Sequence, residues 1–125
     1  LRIKMKYLDA ENNIRRSIAE RYIANVSNPL LLLPSVEYCA ASVHHIFPVL
    51  CTRRDELQTY LYNNGVQTVI HYPIPPHRQL CYAGFAGFNL PITERIHHEE
   101  LSIPLNQTLD DYEVDTIIQL LNDFK

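Results

Sequence analysis

Residues 1–26, LRIKMKYLDAENNIRRSIAERYIANV, contain neither glycine nor proline, and their apolar members fall in one stripe. Ile3, Tyr7, Ala10, Ile14, Ile18 and Tyr22 recur at spacings of three and four, the signature of a long helix with one buried face. Lys4, Lys6, Glu11, Arg15, Arg16 and Glu20 take the opposite positions, and Glu11 precedes Arg15 in the favourable i, i+4 order. Ser27-Asn28-Pro29 ends the helix. A small sheet cannot cover so long a stripe, so the N-terminal half is expected to pack on something outside this chain. The sequence also opens on Leu1 inside the helical pattern, with no cap before it. That is read as a cut through a longer protein.

Beyond a short apolar link, SVHHIFPVLCT (42–52) predicts a strand rich in β-branched and aromatic residues, with Pro48 arguing for an edge or a bulge. Thr52 is expected to cap the next helix, with Asp55 at its third position and Leu57 and Leu61 facing inward. Gly65 stops that helix, and VQTVIHY predicts a second strand. PHRQLCYAGF suggests a short helix, and PITERIHHEEL a longer one with Pro91 at its start and Ile92 and Ile96 one turn apart. LSIPL is a brief extended piece. Thr108 is expected to cap the last helix, whose first turn carries Asp110 and Asp111 and whose buried face is Val114, Ile117, Ile118, Leu121 and Phe124. The fold class is α/β: a small, mixed sheet flanked by helices.

With 125 residues, 46% of them hydrophobic, the chain has the size and core of one domain. A net charge of −3 gives no support for a nucleic-acid or anionic-membrane surface. The longest apolar cluster, PLLLLP, is too short to span a bilayer, and no basic-then-apolar leader opens the chain, so a cytoplasmic location is expected. Cys39, Cys51 and Cys81 are odd in number and widely spaced, which predicts buried reduced thiols rather than a disulfide framework or a zinc site.

The candidate chemistry lies in HYPIPPHRQ, residues 71–79, where three prolines in four positions stiffen a loop carrying His71, Tyr72 and His77. Such a loop can hold imidazole and phenol groups ready for a phosphate or sugar oxygen, or it can simply close the core. Both readings stand at this level. Metal binding is disfavoured: the adjacent pairs His44-His45 and His97-His98 diverge on any regular backbone, no carboxylate lies between His71 and His77, and HExxH is absent. GxSxG and a phosphate-binding glycine loop are missing as well.

HHIFPVLCTRRDELQTYLYNNGVQTVIHYPIPPHRQ, then LPITERIHHEELSIPL and LDDYEVDTIIQLLNDF, resemble in order the C-terminal region of the DegT/DnrJ-type sugar aminotransferases. KYLDAENNIRRSIAERY resembles the long helix that joins that family's two domains, so residues 1–26 are expected as an inter-domain helix and 27–125 as the small C-terminal domain of an aspartate-aminotransferase-like fold. The HYPIPPH form is most similar to transaminases acting on dTDP-3-keto-6-deoxyhexoses. The resemblance implies pyridoxal phosphate as cofactor, glutamate as usual amino donor, a nucleotide-linked sugar as substrate and a homodimer as assembly.

It also implies that the Schiff-base lysine and the cofactor's other partners belong to a large domain N-terminal to this chain. The chain alone is therefore expected to be inactive and to bind no pyridoxal phosphate. By matching position, His71 is expected on the substrate side of the active site, with Tyr72 and His77 beside it. His45, in the H-x-F strand, is expected as a packed supporting residue, and His97 and His98 on a solvated helix face. The alternative is a non-catalytic binding or assembly module that retains the fold.

Overall fold

A computed structural model describes residues 2–125. Its chain begins with α1 (Arg2–Met5) and, after a turn at Lys6 and Tyr7, α2 (Leu8–Asn25). Helix α3 (Val36–Ala41), strand β1 (Phe47–Leu50) and α4 (Arg54–Asn63) follow. Two 3-10 turns, Pro76–Arg78 and Leu80–Phe85, lead to α5 (Pro91–Glu99), strand β2 (Glu100–Ile103) and α6 (Asp111–Asp123). The expected single helix over 1–26 is thus broken by the turn at Lys6 and Tyr7.

The sheet is antiparallel where a mixed one was expected. β1 and β2 pair with Phe47 opposite Ile103 and Leu50 opposite Glu100. One antiparallel bridge, Leu32 with Leu50, extends the sheet beyond β1, and another, Val69 with Ser102, extends it beyond β2. The sheet therefore runs Leu32, β1, β2, Val69. Pro48 fits because the amides of Leu50 and Cys51 bond to opposite sides, to Leu32 and to Glu99. By alternation the position of Pro48 faces the Leu32 side, where the ladder has ended and no N–H is needed.

Successive strand residues alternate between faces. Phe47, Val49, Leu101 and Ile103 turn to the core and are fully or almost fully buried. Ile18, Ala19 and Tyr22 of α2, Leu57 and Leu61 of α4, and Val114, Ile117, Ile118 and Leu121 of α6 complete it. Tyr22 meets the Phe47 ring edge-on at 5.3 Å and donates its hydroxyl to the Pro104 carbonyl at 2.8 Å. Burial pushes that phenol well above its ordinary pKa, so it remains a neutral donor. Only the C-terminal part of the predicted stripe is buried: Ile3 is 75% exposed, Tyr7 59% and Ile14 45%.

Helix ends explain several boundaries. Thr108 does not cap α6. Asp110 does, through a reciprocal box in which it accepts from the Glu113 amide at 2.8 Å and its own amide donates to the Glu113 carboxylate at 2.9 Å. Nor does Thr52 cap α4, whose first flanking residue is Arg53, without a side-chain cap. The far end of α4 closes through Gly65, at φ +82°, with Val66 N–H bonding Leu61 C=O and Gly65 N–H bonding Tyr62 C=O. Helix α3, within the stretch expected as a short apolar link, is capped by Ser35, whose hydroxyl accepts from the Tyr38 amide at 3.2 Å.

One buried polar residue joins the two ends of the domain. Asn28 donates to the carbonyls of Leu121 and Phe124, both at 2.8 Å, and its side-chain oxygen accepts from the Leu30 amide at 2.9 Å. It thereby satisfies C-terminal carbonyls of α6 that have no partner within the helix. Replacing it strands buried groups at both ends. Asn28→Ala is expected to lower unfolding free energy by about 1–3 kcal/mol, measured by urea denaturation, whereas no change in midpoint would contradict this account.

Candidate functional site

The face of the sheet opposite the core carries Pro48, Leu50, Glu100 and Ser102, and α5 lies against it. Polar side chains at two successive positions of one β2 face would normally mark a solvated surface. Here Glu100 is only 3% exposed and Ser102 6%. Their partner is the segment leading into the proline loop. Since Val69 pairs with Ser102, His71 stands directly opposite Glu100 in the same register.

The ladder stops there for a visible reason. A continued antiparallel strand would bond the His71 amide to the Glu100 carbonyl. Instead the His71 amide donates to the Glu100 side chain at 2.7 Å. The predicted strand VQTVIHY is thereby reduced to a single bridge at Val69, and the backbone is free to turn outward. The His71 Nδ1 lies 2.8 Å from the Ser102 hydroxyl, which itself donates to Glu100 at 2.5 Å. Tyr72 stands edge-on to the His71 ring at 5.4 Å and is largely exposed. Helix α5 holds its backbone, because His97 Nδ1–H donates to the Tyr72 carbonyl at 2.5 Å. His97 is therefore a clamp on the loop, rather than part of the solvated face expected of it.

His77 points the other way. It is 6% exposed, and its Nε2 is 3.0 Å from the Glu94 carboxylate on α5. Arg78 shares the same Glu94 oxygen at 3.0 Å and also donates to the Ala86 carbonyl at 2.7 Å. These bonds, from His77 first and Arg78 second, hold the Glu94 carboxyl below its usual pKa. Beside them is an apolar cavity of about 300 Å³, lined by Pro76, His77, Tyr82, Phe85, Phe88 and Leu90 among others. The structure thus brings His71 and Tyr72 together and draws His77 into the anchorage of the loop.

His45 is exposed, contrary to its expected packing, and the buried imidazole is His44. The cause is backbone. His44 adopts φ +49°, so no strand runs through these positions and strand alternation does not apply. Its Nε2–H donates to the Cys39 carbonyl at 3.0 Å, and its amide to the Ser42 hydroxyl at 3.0 Å. Cys39 and Cys51 are buried as expected, while Cys81 is exposed; all three are free. No cluster of three or more metal-ligating side chains occurs among the described residues, and no helix among them is long and apolar enough to cross a membrane.

Glu100, Ser102 and Glu94 are the site residues that sequence reasoning passed over. Glu100 and Ser102 carried a weak signal, polar residues two apart in a short apolar strand. Glu94 carried none. Because the folded Glu94 carboxyl is depressed, its anchoring is fully present above the ordinary carboxylate range and is lost as pH falls through its lowered value. Acidification is expected to release residues 77–88 before the core unfolds, seen as faster amide exchange there than at Leu57 or Leu101. In Glu94→Gln that early phase should be absent, the segment being loose already at neutral pH; equal acid responses in the two proteins would overturn this.

Comparison with known proteins gives a consistent picture. The family model described as DegT/DnrJ/EryC1/StrS aminotransferase matches residues 1–122. The dTDP-3-amino-3,6-dideoxy-alpha-D-galactopyranose transaminase of Aneurinibacillus thermoaerophilus is 40% identical over 122 residues, covering 98% of this chain and 34% of that protein. The crystal structure of DesV from S. venezuelae superposes with a TM-score of 0.88 at 32% identity, over 98% of this chain and 34% of that one. NtdA from Bacillus subtilis, solved with bound cofactor PMP, gives 0.82 at 32% identity over 94% and 29%. The chain thus spans about a third of the length of the relatives it matches.

Proposed function

This chain belongs to the DegT/DnrJ/EryC1/StrS aminotransferase family, and from that premise we propose that it is the small-domain part of a sugar aminotransferase. The parent reaction would move an amino group, with glutamate as donor, onto a nucleotide-linked keto-deoxysugar such as a dTDP-3-keto-6-deoxyhexose. The observation that carries this reading is a single family match running from residue 1 to residue 122. The name of the A. thermoaerophilus relative supports the dTDP-sugar class. In this reading residues 1–26 join the small domain to a large one, residues 27–125 are the small domain, and the working assembly is a cytoplasmic homodimer. The exposed apolar residues of α1, the start of α2 and the loop around Leu80, Phe85 and Phe88 are the surfaces such partners would cover.

The family implies pyridoxal phosphate, and the cofactor's chemistry is to hold the migrating amino group and stabilise the carbanion formed during transfer. The residues described here do not fit it by themselves. Lys4 and Lys6 lie exposed at the N-terminal end and Lys125 at the C-terminus, and none lines the cavity beside His77. No step through the cofactor is therefore assigned to this chain. Its contribution is to the substrate: His71, fixed at the sheet edge, and Tyr72, exposed beside it, would contact the sugar nucleotide, while His77 and Glu94 keep the loop in place.

Two measurements test the reading. In the longer polypeptide proposed to contain this chain, supplied with pyridoxal phosphate, glutamate and a dTDP-linked 3-keto-6-deoxyhexose, the amino sugar should form. There His71→Ala should lower kcat/KM by about tenfold or more, roughly 1.4 kcal/mol of transition-state stabilisation. Unchanged kcat/KM would remove His71 from the substrate contact. Mixed with pyridoxal phosphate, the 125-residue chain alone should give no saturable Schiff-base absorbance. A band abolished by replacing one lysine with arginine would instead place a cofactor lysine in this chain.

A further inference from the structure

The bonds around Glu100 leave a single consistent arrangement of protons. A carboxylate can only accept. Glu100 accepts from the His71 amide on one oxygen and from the Ser102 hydroxyl on the other. The one hydroxyl proton of Ser102 is thus already committed. Toward the His71 Nδ1, 2.8 Å away, the Ser102 oxygen can only accept, so the proton of the neutral imidazole sits on Nδ1. The Nε2 then carries a lone pair, and it has no hydrogen-bond partner among the described residues.

We infer that Glu100 and Ser102 are positioning residues that fix His71 as the Nδ1–H tautomer and present its Nε2 outward as a hydrogen-bond acceptor. A neutral acceptor at that atom selects a donor. In that neutral form it matches a hydroxyl of a sugar, whereas a phosphate oxygen, which has only lone pairs to offer, would require the ring to take up a proton. Resting on the aminotransferase reading above, this matches the neutral His71 to a hydroxyl of the substrate's hexose. The geometry is secured by the sheet itself: Glu100 and Ser102 share one face of β2, and the Val69–Ser102 bridge sets His71 opposite them. Because the two positioning side chains are almost wholly buried, solvent does not compete for their bonds.

The test is histidine-resolved ¹⁵N NMR of the 125-residue chain at about pH 8.5, above the range in which histidines usually titrate. The two-bond ¹⁵N–¹H pattern of His71 should report Nδ1 protonated. Ser102→Ala removes the acceptor, and His71 should shift to the Nε2–H form. Ser102→Thr keeps the hydroxyl and should restore the Nδ1–H form. In Glu100→Gln the new amide donates to Ser102, which frees the serine proton for His71 Nδ1, so the tautomer should reverse to Nε2–H. Core amide signals such as those of Leu57 and Val114 confirm folding in each variant. An Nε2–H signal in the unsubstituted chain, or an Nδ1–H signal persisting in both Ser102→Ala and Glu100→Gln, would overturn the inference. The tautomer result does not depend on amino transfer: loss of the tautomer effect sinks this inference alone, and an inactive parent enzyme sinks the functional reading together with the match to the hexose, leaving the tautomer in place.

Discussion

Strand β2 is buried on both sides, and the register it imposes organises the rest of the chain. Leu101 and Ile103 turn to the helical core, while Glu100 and Ser102 turn the other way beneath the proline loop. One short segment therefore serves as a hydrophobic layer and as a polar platform. The pairing with β1 fixes the first role, and the Val69 bridge fixes the second. A shift of one residue would exchange the faces, placing a carboxylate in the core and two aliphatic side chains at the site. The burial of Glu100 then makes its partners obligatory, because an unpaired carboxylate there would be strongly destabilising.

The stiffness of the loop has a different origin from the one its prolines suggest. Proline fixes backbone angles locally, but it does not say where a loop sits. Placement comes from side-chain bonds: His71 to Glu100 and Ser102, His97 to the Tyr72 carbonyl, and His77 with Arg78 to Glu94. Three of these anchors are histidines. Imidazole suits the task because it can reach a carboxylate, a hydroxyl or a carbonyl with the same ring. The histidine richness that at first invites a metal hypothesis is largely the means by which one loop is fastened to α5 and β2.

Legibility followed periodicity. The buried faces of α4 and α6 are readable because Leu57 and Leu61 stand one turn apart and Val114 through Leu121 repeat at helical spacing over about two turns. The core half of α2 was readable for the same reason. Strands of four residues offer no comparable length of pattern, so SVHHIFPVLCT predicts a strand longer than Phe47–Leu50, and VQTVIHY predicts a strand where only Val69 pairs. Asp110 rather than Thr108 caps α6 because Glu113 stands in place to complete the reciprocal box. The exchange of His45 for His44 had no sequence signal at all, since it depends on a positive φ at a residue that seldom adopts one.

Within the candidate site, His71 and Tyr72 were visible as residue types on a stiff loop, but their supports were not. Glu100 and Ser102 lie some thirty positions downstream of His71, and only strand register brings them under its ring. The division of labour between the two loop histidines has the same cause. His71 leaves the sheet at the point where Glu100 captures its amide, so its ring stays at the edge with one nitrogen outward. His77 follows the prolines within the 3-10 turn Pro76–Arg78, and Glu94 on α5 draws it inward. Two imidazoles that look equivalent in HYPIPPH are thus held differently: His71 sits at the sheet edge on Glu100 and Ser102, and in the proposed reading turns its other nitrogen to a ligand, while His77 spends its Nε2 on Glu94 and holds the loop.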